Sequence, residues 1–132
     1  MRWLKAAPNA NLHPPIPLDV CNPWPQIGQD AVFTANTAHI MPWRAVTHLF
    51  LGAAETLPNR GLLCLYGPFI STRKALALSN NHFDKQLKER NPTQGLRYVE
   101  ALDRLAERVG LELIEDTAMP TNNQLLVWQK QY

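Results

Sequence analysis

Two short apolar runs, Ala31-Val32-Phe33-Thr34-Ala35 and Leu62-Leu63-Cys64-Leu65-Tyr66, enclose a stretch of helical spacing, and this arrangement restricts the fold more than any other feature. Each run is five residues long, apolar and partly β-branched or aromatic, which suits a strand buried on both faces. Between them Val46, Leu49, Phe50, Ala53, Ala54 and Leu57 recur on one helical face, at i, i+3, i+4 and i+7. Pro42-Trp43 starts that helix and Pro58-Asn59-Arg60-Gly61 breaks it. Strand, helix, strand is a βαβ unit, which demands a parallel pair and a right-handed crossover. Ligands of such sheets sit beyond the carboxyl ends of the strands. Asn36 and His39 follow the first run, and Tyr66-Gly67-Pro68-Phe69 ends the second.

The flanking segments are read in the same way. Pro8, Pro14, Pro15, Pro17, Pro23 and Pro25 make residues 1–30 an irregular lead-in. Within it Ile16–Val20 is a candidate short strand, confined by Pro17 to a sheet edge. Trp3-Leu4 reads as the end of a helix. A loop is expected from Ile70 to Ser79. A short helix follows, capped by Ser79, Asn80 or Asn81, with Phe83 and Leu87 on one side and Lys85, Lys88 and Glu89 on the other. Asn91–Gly95 ends it. A longer helix is predicted over about Tyr98–Val109, with Leu102, Leu105, Ala106 and Val109 inward and Gly110 as its C-cap. Leu111–Glu115 alternates as a strand, Ala118–Asn123 makes a turn, and Gln124–Trp128 returns antiparallel.

Length and charge exclude several function classes. At 132 residues the chain is expected to form one domain, 1–132, burying roughly two thirds of its unfolded surface. The net charge of +2 is spread along the sequence. Its densest groups, Arg73-Lys74 and Lys85, Lys88, Arg90, read as solvated faces, so nucleic acid is not an expected partner. Cys21 and Cys64 form no CxxC pair and are read as reduced thiols of a cytoplasmic protein. No apolar run approaches the ~20 residues that span a bilayer. No metal-ligand spacing, Ser-His-Asp motif or phosphate loop is visible.

A parallel sheet closed by one antiparallel terminal strand is the layout of the carboxyl half of Rossmann-like, S-adenosylmethionine-dependent methyltransferases. The sequence resembles one family of this kind, small methyltransferase-like proteins described as domain of unknown function nine-three-eight. The residues that carry the likeness begin with Pro14-Pro15, Leu18-Asp19-Val20 and Trp24-Pro25. They continue with Ala31-Val32-Phe33, Ala35-Asn36, His39-Ile40, Pro42-Trp43, and Gly61-Leu62-Leu63 with Leu65–Phe69. Ser79-Asn80, Phe83-Asp84, Gly95-Leu96-Arg97, Met119-Pro120 and Asn122-Asn123 complete it, in order, over nearly the whole chain.

The resemblance implies an α/β methyltransferase sheet, S-adenosylmethionine as cofactor, and a small-molecule methyl acceptor. It also implies a glycine-rich turn against the cofactor and an acidic residue on the ribose hydroxyls. The six glycines here, Gly28, Gly52, Gly61, Gly67, Gly95 and Gly110, are all isolated. The chain is therefore expected to begin just before the family's third strand, to lack the cofactor's cradle, and to be incomplete or inactive as an enzyme. Arg73–Leu78, Gln94 and Tyr98 depart from the family pattern. Asp19 is the candidate for the adenine amino group and Asn36 for the donor side of the site. His39, with a pKa near neutrality, is the candidate for an acceptor's proton. Tyr66 and Phe69 would wall an aromatic slot, while Asn80, Asp84 and Arg97 would line it. Each has a plainer reading as turn, cap or core. The other function class is a non-catalytic interaction domain, self-associating through a sheet edge left open by the absent strands.

Overall fold

A computed structural model describes residues 11–73 and 78–131. In chain order the elements are β1 (Ala31–Ala35), α1 (Trp43–Thr56), β2 (Leu62–Gly67), β3 (Phe69–Ile70), α2 (Leu78–Arg90), β4 (Arg97–Tyr98), α3 (Val99–Arg108), β5 (Leu111–Met119) and β6 (Asn123–Lys130). The main sheet has the order β1-β2-β6-β5, and β3 pairs with β4 in a small second sheet. β1 and β2 run parallel, with Ala31 opposite Leu62 and Ala35 opposite Tyr66. β6 is antiparallel to both of its neighbours. The fold is thus α/β, with the parallel pair and antiparallel terminal strand expected of a methyltransferase-type sheet.

The core lies on one face of that sheet. Leu63 and Leu65 of β2 and Leu126 and Trp128 of β6 point there, each 1% exposed or less. They meet Val46, Leu49, Phe50 and Ala53 of α1 and Leu102, Leu105 and Ala106 of α3. The helical periodicities put these residues inward, as expected. Phe50 and Trp128 meet edge to face at 5.0 Å. Gly110, at φ +83, ends α3 in the left-handed conformation that a glycine adopts without strain. The lead-in is fastened to α1 at Gly52, where a Cβ would stand 2.1 Å from the Trp24 ring.

Several expectations change. β1 is not buried on both faces. It is an outer strand of the sheet among the described residues, and Phe33 is 64% exposed. Ile16–Val20 forms no strand; Asp19 instead makes a turn there. The turn of the β5–β6 hairpin is tighter than Ala118–Asn123, because Ala118, Met119 and Asn123 belong to the strands. Pro120, Thr121 (φ +64) and Asn122 (φ +59) turn the chain in a three-residue loop between the paired Met119 and Asn123. Asn80 lies inside α2 and does not cap it, since the helix starts at Leu78. The predicted loop from Ile70 opens instead with β3, held by β4. The Trp3-Leu4 helix end and residues 74–77, with Lys74, lie outside the described residues, as does the Ser79 side chain.

Candidate functional site

The candidate site is the carboxyl end of β1 and β2. The parallel ladder closes there with the Asn36 amide donating to the Tyr66 carbonyl at 2.8 Å. Asn36 itself sits at φ +58, a left-handed conformation that asparagine tolerates better than most residues. The strand therefore stops and the chain turns sharply. Thr34 and Thr37 hydroxyls meet at 2.7 Å across that bend, and the Ile40 and Met41 amides both donate to the Thr37 carbonyl. The turn drives Ala38 and His39 inward, to 4% and 7% exposure.

His39 stacks edge-on against Phe83 of α2, with ring centroids 5.4 Å apart. Burial, and after it the charge of Arg97, holds its pKa below the ordinary histidine value, so the ring is neutral at pH 7. Its carbonyl accepts from the Gly95 amide at 3.0 Å.

Arg97 fastens the bend to β4. Its Nε donates to the Ala38 carbonyl at 3.0 Å, and its Nη2 donates to the Met41 carbonyl and, at 2.8 Å, to that of Thr93. The guanidinium also lies 5.7 Å from the centre of the Trp43 ring, within cation–π range. Asp84 is buried and fully engaged as well: Oδ1 accepts from the Leu96 amide and Oδ2 from Lys88 Nζ, both at 2.8 Å. A shallow cleft of about 340 Å³ lies alongside, with Trp43, Gln94, Arg97 and Tyr98 among its walls.

The structure brings Asn36, His39 and Arg97 to one end of the sheet, with Tyr66 half-buried on the neighbouring strand. It does not gather the rest. Asp19 is exposed and folds on itself, accepting from the Cys21 amide at 2.9 Å in a turn of its own. Phe69 is buried in the core rather than lining a slot. Asn80 ties α2 to the hairpin, donating from Nδ2 to the Asn122 carbonyl at 3.1 Å.

One polar cluster escapes the sequence reading. The Glu100 carboxylate accepts from the Thr72 amide and hydroxyl and from the Ser71 hydroxyl, clamping the chain after β3 to the start of α3. Partial burial raises its pKa, but those hydrogen bonds outweigh it and hold the carboxyl below its ordinary value. The partners lie 28 and 29 residues apart, beyond any local signal. Among the described residues no group of three or more His, Cys, Asp or Glu is placed to hold a metal ion. No helix among them is long and apolar enough to cross a membrane.

A family model described as "Protein of unknown function (DUF938)" matches residues 1–130. Among solved structures, human N-acetylserotonin methyltransferase in complex with SAM is 14% identical, with a TM-score of 0.71 over 88% of this chain and 33% of that one. A variant of LepI, in complex with SAH and a substrate analogue, is 15% identical, with a TM-score of 0.74 over 88% of this chain and 30% of that one. CalO1, a methyltransferase in calicheamicin biosynthesis solved with SAH bound, is 14% identical, with a TM-score of 0.72 over 89% of this chain and 34% of that one. The chain spans about a third of the length of each of these, and at such identities the likeness is one of fold.

Proposed function

The chain belongs to the DUF938 family, and on that premise we propose that it is a methyltransferase-like domain that holds the acceptor side of the site but not the cofactor's cradle. In this reading a complete site would move a methyl group from S-adenosylmethionine to a small-molecule acceptor in the cytoplasm. The observation that carries it is the sheet order β1-β2-β6-β5, superposing on SAM- and SAH-bound methyltransferases at TM-scores of 0.71 and 0.72. The free thiols of Cys21 and Cys64 agree with the location.

The residues present do not fit the whole cofactor. A ribose needs a free carboxylate and a sulfonium needs close backbone approach. Asp84, on α2, is already bound to Leu96 and Lys88, Asp19, in the lead-in, is turned on itself, and the glycines are isolated. Asn36 and Tyr66 are the groups left to touch a ligand at the strand ends. Neutral His39 accepts a proton if an acceptor reaches its ring. Arg97, Phe69 and Asn80 act as positioning residues through the backbone, the core and the hairpin.

Calorimetric titration of the 132-residue chain with S-adenosylmethionine tests this. Heats no larger than dilution up to about 100 μM ligand are expected, and micromolar affinity would overturn it. A second reading, a non-catalytic interaction domain, is favoured by one observation: β1 is an outer strand with no partner on its far side among the described residues.

A further inference from the structure

We propose that Glu100 is a positioning residue for the candidate site: its carboxylate completes the β3–β4 pair, and through Arg97 that pair holds the bend at Asn36–Met41. The proposal rests on the reading of that bend as part of the site, and adds what fixes it from behind. β3 and β4 contribute two residues each, Phe69 opposite Arg97 and Ile70 opposite Tyr98. So short a two-stranded ladder is marginal alone. Yet it carries Arg97, whose Nε and Nη2 serve the carbonyls of Ala38, Met41 and Thr93.

The backbone does not lengthen that ladder. α3 starts at Val99, directly after β4, and a helix turns its carbonyls along its own axis. A chain continuing past Ile70 therefore meets a helix where a strand would be needed. Glu100 fills the place. Thr72 and Glu100 keep the 28-residue spacing of the paired strands, and the Thr72 amide donates to the carboxylate as it would to a ladder carbonyl. The Thr72 hydroxyl joins it at 2.8 Å, and that of Ser71 reaches both carboxylate oxygens at 3.1 Å.

The chemistry of the latch fits its place. An ionised carboxylate only accepts, and here every contact comes from a donor. Its lowered pKa keeps it in that form at pH 7. Bonds to a charged group are roughly twice as strong as neutral ones, so the latch is a stronger rung than the ladder steps it extends. Tyr98, the N-cap of α3, makes no side-chain cap bond, and Glu100 is the acidic residue of the first turn, where the helix dipole favours an anion. A charge serving α3 alone would need no bond to the segment after β3. This one directs both oxygens to Ser71 and Thr72.

Amide hydrogen exchange of the whole chain, read residue by residue by NMR at pH 7, is the test. Glu100→Ala should quicken exchange at Thr72 by about 10- to 100-fold, as expected for loss of a hydrogen-bonded charge. The quickening should extend to Ile40, Met41 and Gly95, whose amides are bonded within or onto the bend, and should broaden the Arg97 Nε–H signal. α1 and β5 should keep their rates. Glu100→Gln retains one acceptor oxygen without the charge and should fall between wild type and Glu100→Ala. Thr72→Val attacks the latch from the other side and should show the same pattern at lower amplitude, which keeps the test open should Glu100→Ala not fold.

In Arg97→Met the link to the bend is already cut. Adding Glu100→Ala to it should leave exchange at Ile40 and Met41 where Arg97→Met alone puts it, while Thr72 still quickens. Additive effects at the bend overturn the proposal, because they place Arg97 outside the route. Quickening confined to Thr72 overturns it too, as does quickening spread evenly over α1 and β5, the mark of a general loss of stability. None of these readouts involves S-adenosylmethionine, so the titration above can fail without them and they without it.

Discussion

The two outer strands of the sheet are built to opposite specifications. β5 is nine residues long, bulged between Leu113 and Glu115, and lined with exposed Glu112, Glu115 and Asp116. A bulge and a row of like charges are the devices by which a sheet edge resists a further strand. β1 is five residues long, regular and uncharged, with a phenylalanine at its centre turned toward solvent. The difference teaches that, among the described residues, one outer strand carries the features that stop a sheet and the other does not. The same holds across the strand row Phe33, Cys64, Val127 and Glu115, apolar at the β1 side and acidic at the β5 side. Cys64 registers this setting: burial first, and the Glu115 charge second, push its thiol pKa up.

The strand between tests whether both edges depend on one core. Trp128 of β6 is fully buried, packs on Phe50 and donates from Nε1 to Asp103 at 3.2 Å. Trp128→Ala should cost about 3–5 kcal/mol in urea denaturation, loosening both edges together. A loss below about 1 kcal/mol would separate the two sides of the sheet.

A smaller effect should fall on the β1 side alone. Arg97→Met keeps the stem over Trp43 but leaves the carbonyls of Ala38, Met41 and Thr93 without their donor. We expect about 2 kcal/mol of destabilisation. Amide hydrogen exchange should quicken at Asn36–Met41 and stay unchanged in β5. Equal quickening in β5 would erase the contrast.

The smallest effect is in pH. The folded pKa of His39 lies below its unfolded value of about 6.5, so the unfolded chain binds the extra proton first. Its contribution to stability is complete above that value and falls as pH drops through it, until the folded pKa is reached. His39→Gln should flatten the dependence of Tm on pH below about 6.5. A variant that keeps the full slope would place the titrating group elsewhere.

Much of this was legible in the residues. The inward face of α1, the glycine after α3, the parallel partner of β1 and the antiparallel return of β6 each follow from a local period or breaker. The candidate site was legible only as far as its strand ends, where Asn36 and His39 stand. Arg97 and Asp84 read as site-lining groups because both match the family pattern and are polar. In the structure they bind backbone groups 59 and 12 residues away. Phe69 read as a wall and became core. For β1 the failure is instructive: an apolar run of five suits burial on both faces, but nothing within the run states whether a layer covers the face that Phe33 occupies.

By itself the sequence determined the order and type of the four main-sheet strands and the three helices, and the family to which the chain belongs. Backbone period, proline and glycine act within a few residues, and such effects survive any arrangement of the remainder. Only the tertiary structure decided that Phe33 of β1 faces solvent, that the Arg97 guanidinium is committed to carbonyls, and that His39 is buried and neutral. These depend on contacts between residues far apart in the chain. A side chain's chemistry fixes what it can bond to, and only the packed neighbours fix what it does bond to.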